Sequence, residues 1–365
     1  MSDVEQSQDG AFKDMAGRIS RRSLLGTGGA IAGAFAGSGL LAACGRPPEA
    51  ASPVAGNTAV TGDTVSLNGI APNKSIGFLS LDNSAAAVAV GLQYLASMQK
   101  QLKWNVDIVD IQGDPANVPG GVNTFVGNKV DAIWAYALPG AALGTSFAPA
   151  VKAGIPIISL ASGRFAGVSH LCEFNEYVSG ARIGLYIAER LNYEGEVALL
   201  NYNGLQSLQV RGMMMKAVLE QNPGIKVVAD LQVKVPGQTQ DANQKATALL
   251  GRNPNLDCIW CGWSDVGLGV NTAVKAAGNK KVFVTSIDGV PAEMDAIRAG
   301  DPLVATCAND QALIMRSAAR ATDQILKQQK TGPATEQDSP FVTTWNVPGP
   351  NQLPSGFVTP FWKGA

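Results

Sequence analysis

The sequence contains a single histidine, His170, among its 365 residues. One imidazole leaves His170 as the only candidate base for a catalytic triad, and it leaves a zinc site short of ligands. The patterns of a P-loop and of a nucleophile elbow, G-x-x-x-x-G-K-[ST] and G-x-S-x-G, are absent as well. These absences argue against an enzyme, and we expect no catalytic residues, no bound metal and no cofactor.

Charged residues are also scarce, at 16% of the chain, and the formal net charge is −1. A chain with this balance has no basic surface of the kind that binds nucleic acid or holds an anionic membrane. Apolar residues make up 46% of the sequence, so a packed core is feasible. Beyond residue 44 the sequence lacks an apolar run long enough to cross a bilayer.

Four of the five cysteines lie beyond the N-terminal leader. Cys258 and Cys261 have C-x-x-C spacing, but a redox motif needs both sulfurs at the start of a helix. The surrounding residues 256–261 resemble a buried strand, in which residues three apart face opposite ways. We therefore predict that Cys172, Cys258, Cys261 and Cys307 are buried and unpaired, with disulfide pairing as the open alternative.

The N-terminus has the layout of a bacterial export signal. Arg21 and Arg22 precede an apolar run over 24–43, which ends in the lipobox Leu41-Ala42-Ala43-Cys44. We predict a cleaved twin-arginine lipoprotein signal peptide over 1–43, with Cys44 as the lipidated first residue. The alternative is a transmembrane helix, since the run is about 20 residues long; its six glycines argue against that.

Residues 44–73 are rich in Pro, Ala, Gly, Ser and Thr, which predicts a flexible tether between the lipid anchor and the folded body. Beyond it, short β-rich apolar runs alternate with amphipathic helical patterns. The predicted strands are Ser75–Ser80, Val106–Ile111, Ala132–Ala137, Pro156–Leu160, Val168–Phe174, Glu196–Tyr202, Lys226–Val235, Cys258–Gly262, Lys281–Ile287, Val304–Ala308 and Phe341–Val347.

This alternation predicts an α/β fold with two doubly wound, parallel-sheet lobes joined by a hinge. Breaks near 173–175 and 309–310 suggest that the chain crosses between lobes at both points. The N-terminal lobe would then comprise 74–175 and 310–338. The C-terminal lobe and tail would comprise 176–309 and 339–365.

Four segments carry a resemblance to a known family. They are Ile155–Leu160 followed by Val168–His170, Val210-Arg211-Gly212, Ile287-Asp288-Gly289-Val290-Pro291, and Pro302–Thr306. In order and spacing, over about residues 74–328, the chain resembles the type I periplasmic binding proteins. It is most similar to the ribose-binding-like lipoproteins of ABC importers.

The resemblance implies a monomeric binding protein that captures a sugar or sugar-like solute between its lobes and delivers it to the transmembrane subunits of an ABC permease. The lipid anchor would hold the protein at the membrane, facing the periplasm or the cell exterior. Two alternatives stay open: a ligand-sensing subunit that presents solute to a membrane receptor, and a binder of a non-sugar ringed solute.

Open α/β sheets bind ligands outside the carboxyl ends of their strands, whatever the family. That rule selects Leu81–Ala85, Tyr136–Leu138, Ala161–Gly163, Asn203–Gln206, Trp263–Asp265 and Asp288. Together with the family pattern it gives our predicted ligand-binding residues, Asp82, Ser84, Tyr136, Ser162, Gln209, Trp263, Asp288 and Asn309.

The family pattern carries over in part. Asp288 matches the aspartate that accepts hydrogen bonds from solute hydroxyls, and Asn309 matches a hinge-side amide. Asp82 stands where the family has asparagine, and Trp263 where it has a polar amide. Gln209 replaces the family's arginine nearest the solute.

The family's sugar clamp is largely absent. Ala85, Ala86 and Ala87 stand where many sugar binders carry ring-stacking aromatics, and Ala161-Ser162 replaces an Asp-Arg pair. Tyr136, Trp134 and Trp263 are the candidates for a replacement aromatic surface.

Overall fold

The structure is a computed structural model that describes residues 66–140, 143–350, 352 and 354. The predicted signal peptide, Cys44 and most of the predicted tether lie outside these residues. Within the described ranges, no helix combines the length and apolarity needed to span a membrane.

Strands and helices alternate along the described chain. The elements of the first half are β1 (Ser75–Ser80), α1 (Ala86–Leu102), β2 (Asn105–Asp110), α2 (Val118–Gly127), β3 (Ala132–Tyr136), α3 (Ala148–Lys152), β4 (Ile157–Leu160), β5 (Val168–Phe174) and α4 (Glu176–Arg190). The remaining elements are β6 (Gly195–Asn201), α5 (Gln206–Glu220), β7 (Ile225–Gln232), α6 (Gln238–Arg252), β8 (Leu256–Cys261), α7 (Ser264–Ala276), β9 (Phe283–Asp288), α8 (Pro291–Arg298), β10 (Leu303–Ala308), α9 (Gln311–Leu326), β11 (Ala334–Gln337) and β12 (Phe341–Thr343).

The strands form two six-stranded sheets, one in each lobe. The first sheet has the order β11-β5-β4-β3-β1-β2, and the second has the order β12-β10-β9-β8-β6-β7. The pairings are parallel, except that β12 runs antiparallel to β10. In each sheet the strand order reverses beside the first strand, at β1 and at β6. This doubly wound topology confirms the predicted fold class and places a ligand-binding crevice at the carboxyl ends of the strands.

The central strands owe their position to largely apolar segments. Every residue of β3, β4, β9 and β10 is buried, as expected for parallel strands that helices cover on both faces. The outer strands β2 and β7 are exposed or half-buried over nearly their whole length instead.

The predicted strands match β1 to β10 to within a few residues at their ends. The predicted strand Phe341–Val347 is too long, since β12 ends at Thr343. Strand β11 was not predicted, because Ala-Thr-Glu-Gln is too short and too polar to show an apolar pattern, and an edge strand does not require one.

The chain passes between the two sheets after β5, after β10 and after β11. The first two crossings lead into helices with side-chain caps, which fix the direction of the chain. Asn175 accepts a hydrogen bond from the Val178 amide at 3.1 Å, and Asp310 accepts from the amides of Ala312 and Leu313 at 3.0 Å each. The predicted domain boundaries at these points stay a prediction.

Residues 66–73 of the predicted tether pack onto the first lobe. Leu67 and Ile70 are buried. The Ala71 amide donates to Asp323 at 2.8 Å, and the Ala71 carbonyl accepts from the Trp104 indole at 2.8 Å. The prediction of a flexible tether up to Asn73 is wrong for these residues, because two apolar side chains in a polar segment suffice to anchor it.

The cysteine prediction is confirmed. Cys172, Cys258, Cys261 and Cys307 are free and buried. Burial raises the pKa of the Cys258 and Cys261 thiols well above the usual value, so neither forms the thiolate that redox chemistry needs.

Candidate functional site

A cavity lies between the lobes, where the carboxyl ends of the two sheets face each other. Its volume is about 90 Å³, several times the roughly 10–15 Å³ that one water molecule requires. Charged and polar residues line one part of it: Asp82, Tyr136, Tyr202, Ser207, Arg211, Gln238, Asp265, Asp288, Asn309 and Gln311. Apolar residues line the rest: Leu81, Ala85, Ala87, Val88, Ala137, Ala161, Phe174, Leu205, Leu208, Val235 and Trp263.

Asp288 ends β9 and holds the centre of the polar wall. Its Oδ2 lies 3.3 Å from both the amide and the hydroxyl of Ser264. Its Oδ1 lies 3.2 Å from Asn309 Nδ2 and 3.0 Å from Arg211 Nη1. The backbone φ of Asp288 is 118°, a conformation that a non-glycine residue holds only when its surroundings enforce it. The carboxylate is therefore fixed in place before any solute arrives.

Arg211 connects this carboxylate to the start of α4. Its Nε and Nη2 each lie 2.6 Å from an oxygen of Glu176, and its Nη1 donates to the Gly262 carbonyl at 2.9 Å. Burial lowers the pKa of Arg211, but the charges of Glu176 and Asp288 outweigh it and raise the pKa, so the guanidinium stays charged. Arg211 therefore forms a buried ion pair with both carboxylates.

Asp82 follows β1 and reaches across to the second lobe. Its Oδ1 accepts from the amide and the hydroxyl of Ser84 at 2.9 and 2.6 Å, and its Oδ2 accepts from Gln238 Nε2 at 3.0 Å. Burial raises the pKa of Asp82, but the hydrogen bonds from Ser84 and Gln238 outweigh it and leave the pKa below the usual 3.8. Asp82 is therefore ionised at neutral pH and held by neutral donors.

Asp265 lies in the first turn of α7 and faces the first lobe. Its Oδ2 and Oδ1 lie 3.1 and 3.3 Å from the Ala86 amide at the start of α1. Burial, and then the charges of Asp288 and Asp82, raise the pKa of Asp265 to about 6. The contact joins the lobes through one amide at the positive end of a helix.

Two aromatic residues complete the wall. The Tyr136 hydroxyl donates to Gln311 Oε1; burial, and then the charge of Asp288, raise the pKa of Tyr136, so the phenol stays protonated. Trp263 precedes α7 and is 8% exposed, with its surface on the cavity. Trp134 does not reach the site: it is fully buried, and its indole donates to Thr322 at 2.9 Å.

The structure brings five of the eight predicted ligand-binding residues to the cavity: Asp82, Tyr136, Trp263, Asp288 and Asn309. It does not bring the other three there. The amide and hydroxyl of Ser84 donate hydrogen bonds to Asp82 instead. Ser162 is fully buried, and its hydroxyl donates to the Ala135 and Leu160 carbonyls. Gln209 turns outward and donates to the Asn203 carbonyl at 2.6 Å.

Neither Ser162 nor Gln209 therefore lines the cavity in this structure. Sequence position puts both near strand ends, but each side chain is used to close the adjoining loop. Which lining residues contact solute stays a prediction.

Sequence reasoning overlooked Gln238 and Gln311 as lining residues. Gln238 begins α6 after the loop that follows β7, so its position near a strand end could have identified it. Gln311 begins α9 shortly after β10 ends at Ala308, so the same rule could have identified it.

The comparisons with known proteins agree with this architecture. The sequence profile of the periplasmic binding protein domain matches residues 72–330. The chain belongs to the periplasmic binding protein family. This periplasmic binding protein is thus a solute-binding component of the ABC importer type, and it is not an enzyme.

Its curated relatives include a xylitol-binding protein of Mycolicibacterium smegmatis, which is 26% identical over 328 residues, covering 87% of this chain and 86% of the relative. A ribose import binding protein of Haemophilus influenzae is 27% identical over 233 residues, covering 63% of this chain and 78% of the relative.

Solved structures show the same fold. An ABC sugar transporter subunit from Rhodobacter sphaeroides superposes with a TM-score of 0.70 at 22% identity, covering 75% of this chain and 99% of that chain. A solute-binding protein from Actinobacillus succinogenes with bound D-allose gives a TM-score of 0.69 at 23% identity, covering 75% and 99% of the two chains.

Proposed function

We propose that this periplasmic binding protein is a lipid-anchored component that captures a polyhydroxylated solute, a sugar or a sugar alcohol, and delivers it to an ABC permease. The observation that carries the proposal is the wall formed by Asp288, Arg211 and Asn309 at the carboxyl ends of the second sheet, opposite Asp82 in the first. A buried carboxylate is costly unless its oxygens accept hydrogen bonds, and a polyol supplies many donors.

The cavity's apolar wall favours a flexible or small solute over a tightly sandwiched ring. Ala85 and Ala87 line it where ring-stacking aromatics would otherwise stand, so Trp263 and Tyr136 offer the aromatic surface. The relative named for xylitol, an open-chain sugar alcohol, is consistent with this reading.

Lobe closure is the proposed means of capture. In the structure the lobes touch through Gln238 on Asp82 and through Asp265 on the Ala86 amide. A solute that contacts both walls binds the closed form better than the open one and shifts the population towards it. Both walls of the cavity are supplied by the two lobes of a single chain, and we propose that the protein works as a monomer, as the family resemblance implies.

A thermal-shift screen of the purified full-length chain tests the solute class. The panel holds pentoses, hexoses, pentitols, hexitols, cyclitols, nucleosides, aromatic acids and amino acids. We expect a sugar or polyol to raise the melting temperature, since a ligand that binds only the folded state adds about 2.7 kcal/mol at a hundredfold excess over its Kd. A shift confined to amino acids or aromatic acids would contradict the proposal.

The lipid anchor is proposed from the lipobox at Cys44 alone. We expect Cys44→Ala to release the protein from the membrane fraction, because an acyl chain contributes roughly 0.8 kcal/mol of membrane binding per buried CH₂. Fractionation of cells, with Cys172→Ala as the matched control that stays membrane-bound, gives the measurement. Membrane association of the Cys44→Ala protein would favour an uncleaved helix.

A further inference from the structure

The charges that line the cleft are unbalanced. Of the lining residues, all of which the structure describes, three are carboxylates, Asp82, Asp265 and Asp288, and one is a cation, Arg211. Arg211 is already shared between Asp288 and Glu176, whose own carboxylate lies directly behind it. The wall around the solute is therefore negative.

Of the three carboxylates that line the cavity, Asp265 has the weakest hydrogen-bond and ion-pair partners. Asp288 has Arg211, and Asp82 has three neutral donors. Asp265 instead has two backbone amides, that of Ala86 at 3.1 and 3.3 Å from its two oxygens and its own. Its lone pairs exceed its donors, because an ionised carboxylate accepts about four hydrogen bonds.

A second and independent observation concerns Gln238, which lines the same cavity and is 5% exposed. Its Oε1 is buried without a hydrogen-bond partner. The orientation of the amide is fixed by chemistry, since Nε2 has to face the Asp82 carboxylate and the oxygen then faces the other way. A buried acceptor of this kind is costly until a donor reaches it.

From these two observations we propose that the cleft selects a polyhydroxylated solute that carries a protonated amine, an amino sugar or an amino sugar alcohol, and rejects its acidic counterparts. Asp265 receives the ammonium group, which has three N–H donors and a positive charge, and Gln238 Oε1 accepts a further donor from the solute. This inference rests on the proposed function and narrows its solute class.

The titration of Asp265 gives the preference a pH dependence. The acidic groups around it are Asp82 after β1, Asp288 on β9 and Glu293 on α8, and burial raises the pKa of Glu293 well above its usual value; the positive group is Arg211 on α5. Because the pKa of Asp265 is raised to about 6, the carboxylate is protonated below that pH and loses its attraction for an ammonium ion. Affinity for the amine should therefore rise with pH and level off above about 6, whereas affinity for the neutral analogue should not follow this course.

The test is calorimetric titration of the purified full-length chain with matched sets: glucitol, glucamine and gluconate; glucose, glucosamine and glucuronate; and xylitol with its terminal amine and acid. We expect the amine of at least one set to bind about tenfold tighter or more than its neutral parent, as for a desolvated charge pair. The acid of that set should bind more weakly than the neutral parent.

Asp265→Asn separates charge from position, since the amide oxygen can still accept from the Ala86 amide. In this variant the ratio of the affinities for the amine and for its neutral parent should fall to about one, whatever the change in affinity for the neutral parent. Asp295→Asn is the matched control: the Asp295 side chain is 73% exposed on α8, and the preference should persist.

Three results would overturn the inference. Neutral parents that bind as tightly as their amines would refute it and leave the proposed function standing. An Asp265→Asn protein that loses the neutral parent and the amine to the same extent would assign Asp265 a role in positioning α1 only. Binding by no member of any set would refute the inference and count against the proposed function as well.

Discussion

Replacing Arg211 with methionine is expected to lower the free energy of unfolding by about 3–5 kcal/mol, since removing one partner leaves buried charge without compensation. The side chains of Arg211, Glu176 and Asp288 are each at most 6% exposed. Methionine fills much of the space of the arginine stem but donates no hydrogen bond. Both carboxylates would then have to be protonated or hydrated for the chain to fold.

Chemical denaturation followed by circular dichroism measures the effect. Lys216→Met is the matched control, because Lys216 pairs with Asp230 at the surface, where both side chains are more than a third exposed; such pairs contribute about 0–1 kcal/mol. A second variant, Arg211→Met with Glu176→Gln, should recover part of the loss. Equal stabilities for Arg211→Met and Lys216→Met would show that the buried network does not hold the second lobe together.

Replacing Asp288 with alanine is expected to weaken solute binding by about 2 kcal/mol or more, roughly thirtyfold, as a charge-assisted hydrogen bond is lost. The change removes the acceptor from the cavity wall and also frees Arg211 Nη1 and Asn309 Nδ2, which hold it now. Alanine adopts a φ of 118° no more easily than aspartate does, so the backbone strain at this position stays in the variant.

Titration calorimetry with the strongest ligand from the panel gives the affinity, and circular dichroism checks that the variant is folded. Asp288→Asn keeps the shape of the side chain and tolerates positive φ, so its loss should be smaller than that of Asp288→Ala. Asp295→Asn, on the exposed face of the same lobe, should bind as the wild type does. Unchanged affinity in a folded Asp288→Ala protein would remove Asp288 from the site.

The fold could be predicted from the sequence because its signals are local and repeated. Runs such as Ile157–Leu160 and Leu303–Ala308 are mostly apolar, and helical patterns recur between such runs, so β4 and β10 were expected to be strands of parallel sheets. The elements that were missed or wrongly predicted are those stabilised by contacts with residues distant in the sequence. The edge strand β11 depends on its partner β5, and residues 66–73 depend on Asp323 and Trp104.

The site could be predicted only as far as the backbone determines it. Asp82, Trp263 and Asp288 lie at strand ends and reach the cavity, as topology requires. The direction of a side chain near a strand end is set by local hydrogen bonds that a sequence does not reveal, and for that reason Ser162 and Gln209 do not line the cavity. Contacts between the lobes, such as Gln238 with Asp82, depend on long-range packing and had no signal of their own.

A crystal structure of the chain with the strongest-binding compound of the panel tests the central claim most directly. The account predicts a solute enclosed between the lobes, with hydroxyl groups within hydrogen-bond distance of Asp288 on one wall and Asp82 on the other. A solute bound outside the cleft, or one that contacts a single lobe while the lobes stay apart, would contradict it.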